Sequence, residues 1–300
     1  MVEKGSREVI VGSCFQRSAL WRRVKILHLH RNMRLDQDPE SEEFAKWLLN
    51  VGHGRRLEPD WQVLLPQHMI CREPPLNDRN QPVYSRIVPL IQELYPGIDN
   101  GPKHDDYFLD RNILSPQNDN VMDIDTEVLQ HFPGNKIVCL GTSQISDKDS
   151  ANGENQLYPV EFLASINDSG LPLTKLELKI GCPLMILRNL DPKCGLCNGT
   201  RAILTRKSGR VLEVRILTGP QAGQMAFIPR ITLIPSLSEV PFKLRRRQFP
   251  VHLAFAMTIN KAQGQSVKHI GLDLWSPVFT HGQLYVALSR CTSSRCLKVV

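Results

Sequence analysis

The hydrophobic pattern of this chain changes period twice, and no other feature limits its fold as much. Before about Gly141, and again after Arg247, apolar residues at helical spacing alternate with short apolar runs. That alternation belongs to an α/β protein with a largely parallel sheet. Between Leu173 and Pro235 the pattern becomes short strands, at 176–179, 183–187, 201–205, 211–217 and 225–228, punctuated by Asn198-Gly199, Ser208-Gly209 and Gly219-Pro220. This spacing predicts a small antiparallel barrel inserted into the α/β domain. The polar stretch Gly141 to Gly153, rich in Ser, Asp, Asn and Gly, reads as a loop and a domain boundary. Residues 1–155 and 238–300 are therefore expected to form the α/β part and 156–237 the insert, as two separable units. The 300 residues suffice for about two domains.

Several elements are explicit. Val24 to Leu29 reads as a strand. A helix follows, with Asp38 as cap, Pro39 at its first position, Glu40, Glu42 and Glu43 near its positive end, and Gly52 as its stop. Phe44, Trp47, Leu48 and Val51 form its buried face. Prolines break up residues 53 to 110, where short helices and loops are expected. Ile113-Leu114-Ser115 reads as a buried strand, Asn118 as the cap of a helix carrying Val121, Ile124, Val128 and Phe132, and Lys136 to Leu140 as another strand. Near the end, Ile270 to Leu274 is a strand, Thr280 to Gln283 matches a capping box, and Cys296 to Val300 reads as a last strand.

Composition excludes more than it identifies. With 41% hydrophobic and 22% charged residues, the chain is neither fibrous nor wholly disordered. No window approaches 18 consecutive apolar residues and the first twenty lack a secretory pattern, which predicts an intracellular protein without membrane spans. The excess of 37 Lys+Arg over 30 Asp+Glu, a net charge of +7, fits either a polyanionic partner or a solvated surface. Of eight cysteines only Cys194 and Cys197 form a CxxC, without two further ligands at similar spacing, so a turn is favoured over zinc. Arg245 to Arg247 reads as a solvated basic run, with a nucleic-acid groove as the alternative.

The chemistry concentrates in Ala256 to Ser266 and Leu284 to Arg290. Thr258, Asn260 and Lys261 offer a hydroxyl, an amide and an ammonium that can hold phosphates irrespective of base. Gly264, next to Gln263, lets backbone approach a ligand closely, as a plain turn glycine also would. The planar, permanently charged guanidinium of Arg290 suits phosphoryl transfer, with a surface ion pair as the alternative.

Together these segments resemble the last two motor motifs of superfamily 1 DNA helicases. The whole chain resembles the C-terminal half of a PIF-type (petite integration frequency) helicase, in the variant encoded by Helitron rolling-circle transposons. Four further segments agree in order: Asn32-Met33-Arg34-Leu35, Ile113 to Asn118, Leu178 to Met185, and Leu196 to Arg201. The resemblance implies an α/β, RecA-like second helicase domain, 2A, with an inserted SH3-like barrel, 2B. It implies an ATP-dependent 5′-to-3′ helicase acting in DNA repair, recombination, telomere maintenance or transposition. Arg290 and Arg34 would contact phosphate in catalysis, Gln263 and Gly264 would close over the nucleotide, and Thr258, Asn260, Lys261 and Asn118 would grip DNA. Asn118 serves equally well as a helix cap, and many members carry His where this chain has Asn260, which still donates to phosphate. ATP and Mg²⁺ are the implied cofactors. Implied partners are single-stranded DNA or a fork, a first RecA-like domain and other transposon-encoded parts, and the nucleus is favoured over the mitochondrion. No G-x-x-x-x-G-K-[ST] loop and no apolar strand ending in Asp-Glu occurs in the 300 residues, so the isolated chain is expected to lack ATPase activity. A transposon fragment or an incomplete gene model would account for that, and an ATPase-dead single-stranded-DNA-binding protein is the competing reading.

Overall fold

A computed structural model of the chain describes residues 6–28, 32–33, 39–55, 62–72, 74, 85–145, 158–167, 170–235, 242–265, 267–280 and 282–300. It divides into two compact units, Met1–Asp36 and Gln37–Val300.

In the first unit, Ser6 caps helix α1 (Arg7–Gly12), and two single turns of 3₁₀ helix follow, Phe15–Arg17 and Ala19–Arg23. The strand expected at Val24 to Leu29 is absent from Val24 to His28, and Leu29 lies outside the described residues. A strand is stable only when a neighbour takes up its peptide groups. Among the described residues no strand pairs with this segment in a ladder, and Ile26 and Leu27 stand exposed.

The second unit is built on a four-stranded parallel sheet. Its order is β12 (Ala256–Thr258), β1 (Arg111–Ser115), β13 (His269–Leu272), β14 (Leu297–Val299). Alternation along β1 sends Ile113 to one face and Leu114 to the other. Helices α3 (Ile87–Leu94) and α5 (Asn118–His131) cover the first face, while α2 (Pro39–Gly52) and α7 (Gln283–Leu288) share the core of the second. As expected, Pro39 opens α2 and Phe44, Leu48 and Val51 are buried, although Asp38 is outside the described residues. Gly271 lies directly under α3, where an added Cβ would sit 3.1 Å from Leu90 side-chain atoms. Helix α4 (Asp105–Leu109) leads into β1.

The antiparallel part is a meander of β5 (Pro183–Ile186), β6 (Arg201–Ser208), β7 (Val211–Ile216) and β8 (Met225–Pro229). Its other edge strand, β11 (Val251–Leu253), pairs with β5 and lies beyond the 156–237 segment assigned to the insert. After Leu253 only Ala254 and Phe255, where the chain bends, intervene before β12, so one short segment serves both sheets. β2 (Ile137–Leu140) pairs with β4 (Lys175–Leu178). A three-stranded sheet joins β3 (Thr142–Ile145), β10 (Leu244–Gln248) and β9 (Ile231–Leu233), with α6 (Val160–Ser165) beside it.

Two expectations are corrected here. The stretch read as a loop after Gly141 contains β3, whose small residues escape an apolar-run test but alternate correctly, with Ser143 and Ile145 facing inward. The Arg245–Arg247 run is not solvated throughout, because it lies in β10, where Arg247 is exposed and the middle member points inward. Arg246 is 0% exposed and donates to Ser143 Oγ (3.0 Å), to the Pro172 carbonyl (3.1 Å), and to the Leu163 (2.9 Å) and Ile166 (2.9 Å) carbonyls at the end of α6. A buried cation thus satisfies the carbonyls that a helix leaves open at its negative end. Lys179 does the same for α5, bonding the carbonyls of Gln130 and Phe132.

The α/β part and the meander do not have separate cores. Tyr95, Phe108, Phe132 and Phe255 pack ring against ring, and the same cluster runs on into Leu184, Ile186, Leu204, Val214 and Ile228 of the meander. Burying Arg201 here ties the two together: its guanidinium donates to the carbonyls of Phe108 (2.8 Å) and Ala254 (3.3 Å).

Candidate nucleic-acid and nucleotide site

Ligands of open parallel sheets bind beyond the carboxyl ends of the strands. At that edge β1 ends in Ser115 and β12 in Thr258, which are neighbours in register. A groove of about 370 Å³ opens beside them. Asn118, Thr258 and Lys261 line it together, with Asp125, His252 and Phe279. Three of the four expected DNA-contacting residues therefore meet in one place.

Each is positioned by local structure. Gln117, and not Asn118, caps α5, so Asn118 is the first helical residue and its exposed side chain is not used in capping. Thr258 is buried at the strand end, where its carbonyl accepts from the backbone N–H of Lys261 (3.0 Å) and of Ala262 (3.2 Å) and starts a tight turn. Asn260 is exposed on that turn, outside the groove lining. Gly264 ends the turn with φ +85° and nothing within 4 Å of where a Cβ would stand. Gln263 beside it is exposed.

The turn's other end is clamped by Arg290. This residue, 9% exposed, donates from Nε to the Val286 carbonyl (2.9 Å), from Nη1 to the Gln265 carbonyl (3.0 Å) and from Nη2 to Ser289 Oγ (3.1 Å). Its own carbonyl accepts from the Val267 N–H at 3.3 Å. The helix that precedes it begins at Gln283, the last residue of the expected box, so the cap is Gly282, with φ 76°, two residues after Thr280. The Gln283 side chain still reaches back, accepting from the Phe279 N–H at 3.0 Å. Arg34 lies outside the described residues.

Electrostatics centre on Asp125, which is 5% exposed and accepts from the Ala256 N–H at 2.9 Å. Burial raises its pKa to about 8, against the pull of the Ala256 and Phe255 N–H groups, Lys261 and Arg201. Although Lys261 keeps an accessible surface, crowding around its ammonium lowers its pKa, while Asp125 pulls the other way. His252 is pushed down to about 4 by burial and by Lys261, so it is neutral at pH 7. Asp125 and His252 escaped the sequence reading. The available signal was an acid at helical spacing from Val121 and Val128, inside an otherwise apolar face.

Family models match the chain twice: a PIF1-like helicase model over residues 1–61, and the 2B domain of DNA helicase Pif1 over residues 161–206. The human ATP-dependent DNA helicase PIF1 is 37% identical over 142 residues, covering 46% of this chain and 21% of that protein. Bdellovibrio bacteriovorus Pif1 is 35% identical over 126 residues, covering 42% and 27%. Over these segments the chain is similar to the PIF1-like helicases. It spans about a quarter or less of the curated relatives' length in these alignments. Among solved structures, Bacteroides Pif1 bound to single-stranded DNA superposes with a TM-score of 0.59 at 21% identity, covering 98% of this chain and 57% of that one. Pif1 from Candida albicans gives 0.55 at 18% identity, covering 95% and 59%.

The chain therefore has the expected α/β fold, shared with the Pif1 structures, and its residues 161–206 match the 2B domain model. Its CxxC lies in the connection between β5 and β6. Asp191 accepts from the N–H groups of Lys193 (3.1 Å) and Cys194 (3.3 Å), and its carboxylate raises the pKa of the Cys194 thiol. The Cys197-to-Thr200 turn is internally bonded, Thr200 Oγ1 accepting from the Cys197 N–H at 3.2 Å. Among the described residues no group of three or more His, Cys, Asp and Glu could hold a metal, and no helix is long and apolar enough to cross a membrane.

Proposed function

We propose that this chain is the second motor portion of an ATP-dependent 5′-to-3′ DNA helicase, gripping single-stranded DNA in the Asn118–Thr258–Lys261 groove. The supporting observation is the turn from Ile259 to Gly264. Thr258 just before it and Lys261 within it line the groove, and just past its second end Gln265 is held by Arg290, so one short segment touches both regions. A displacement at either end must be felt at the other, which is the coupling a translocating motor needs.

The residues present fit a nucleotide's phosphates but not its metal. Gln263 offers an exposed amide and Gly264 an uncrowded backbone, and the Arg290 guanidinium would have to exchange part of its hold on Val286, Gln265 and Ser289 for a phosphate; among the described residues no metal-holding cluster of His, Cys, Asp and Glu accompanies them. ATP would supply the free energy of phosphoryl transfer. Its phosphate loop and Mg²⁺ carboxylates would come from a first RecA-like domain, in the same polypeptide or in a partner. Arg290 and Gln263 would close the site from this side, with Arg34 a further phosphate contact by resemblance. DNA at forks during repair, recombination, telomere maintenance or transposition, in the nucleus, is the proposed setting, and the Helitron-like affiliation belongs to the same reading.

The test joins this chain to the first RecA-like domain of a PIF1-like relative. The 300 residues alone should show no ATPase activity, whereas the chimera should hydrolyse ATP with stimulation by single-stranded DNA. Arg290→Ala should then lower turnover by about 10³-fold or more while DNA affinity stays near normal. Unchanged turnover in that variant would remove Arg290 from the mechanism. A chimera that binds DNA yet never hydrolyses ATP would favour the ATPase-dead binding reading.

A further inference from the structure

The loop that follows β13 carries two aromatic side chains that the core does not use. Phe279 is 63% exposed and lines the same groove as Asn118, Thr258 and Lys261. Trp275 is 71% exposed, with the Arg86 guanidinium 4.4 Å over one ring face and the rest open. Apolar rings this large are normally withdrawn from water. Here the backbone holds them out. Asp273, buried at the strand end, accepts from Ser115 Oγ (3.1 Å), Arg86 (3.5 Å) and the Trp275 N–H (3.4 Å). Asn120, on the first turn of α5, donates to Ser276 Oγ at 2.9 Å, and the Phe279 N–H is fixed by Gln283. The loop is thus pinned beside the helix turn that carries Asn118.

The geometry points to Phe279 and Trp275 as base-stacking platforms: Phe279 for a base inside the groove, and Trp275, backed by Arg86, for a base of the same strand where it passes the first turn of α5. This inference rests on the groove holding single-stranded DNA. The polar residues there offer donors to phosphate and nothing for the flat faces of unpaired bases. Every base has such a face, so stacking adds affinity without demanding a sequence. Arg86 also polarises the indole from behind and favours its presentation edge-free to solvent on the other side.

The experiment compares binding of an oligo-dT and of the matching abasic oligonucleotide to the full 300-residue chain and to Phe279→Leu, Trp275→Leu and Trp275→Phe. Each leucine variant should bind oligo-dT about 5- to 100-fold more weakly with an unchanged salt slope, because a stack and not a phosphate contact is lost. Trp275→Phe should retain most of the affinity. Binding of the abasic strand should be the same for wild type and variants, and oligo-dT should quench an emission component that is missing in Trp275→Phe. Leucine variants with wild-type affinity for oligo-dT, a loss confined to one of the two positions, or equal losses on the abasic strand would overturn the proposal. Failure of the wild-type chain to bind either strand at low salt would instead overturn the groove reading, and this inference with it.

Discussion

Asp125 holds a proton that its environment does not let go at the usual pH. An ordinary aspartate loses it near 3.8, whereas burial keeps it on this carboxyl to about 8. The unfolded chain therefore binds fewer protons across that window, and native stability contributed by Asp125 falls as pH rises through it. His252 acts in the opposite sense between its ordinary 6.5 and about 4, where the unfolded chain binds the additional proton. Above pH 6.5 the carboxyl acts alone of the two. Urea unfolding at pH 6.5 and 8 should show a loss of about 1–2 kcal/mol that Asp125→Asn abolishes. A slope identical in the variant would assign the effect elsewhere. Lys261 allows a second measurement at this scale. If its ammonium meets a phosphate, Lys261→Ala should reduce the steepness of log K against log [salt] for single-stranded DNA by about 0.7, with base composition immaterial. Asn260, outside the groove lining, should leave that slope unaltered when replaced by Ala.

The strands and helices were legible where side-chain pattern and burial agree. The turns at Asn198-Gly199, Ser208-Gly209 and Gly219-Pro220 separate the observed meander strands almost as read, because a glycine or proline at each bend reflects a backbone demand. Illegible elements were those whose partners lie far away in sequence. Val24 to His28 looks like a strand locally and lacks a ladder; Thr142–Ile145 looks like a loop and gains one from β10. Arg246 shows why composition misleads: three adjacent arginines have one charge state but alternate faces in a strand, so the middle one becomes an internal cap for α6. Groove membership was legible for Thr258 and Lys261, which sit in one motif, but not for His252 or Phe279, which only the fold brings there. Arg246→Ala should cost on the order of 3 kcal/mol or more, since it leaves several buried carbonyls without a donor. Arg247→Ala, on the exposed face of the same strand, should stay within about 0.5 kcal/mol. Equal effects in urea titrations of the two variants would contradict the inward placement.

For the molecule as a whole, the shared core predicts that Gln37–Val300 unfolds in one step. Amides in β6 and β7 should exchange with the same opening free energy as those in β1 and β13, since Arg201 and the aromatic cluster belong to both. Two resolved opening free energies would show that the meander folds on its own, as its sequence period first suggests. The run from Val251 to Thr258 adds a mechanical corollary. Its first residues are stitched to β5 and its last to β1, with Ala254 and Phe255 buried between. With only those two residues between the ladders, and both packed in the interior, little slack is left to absorb a pull. Were DNA to pull on the meander, as the proposed function requires, the load would pass through these two buried residues to Thr258, where the turn begins.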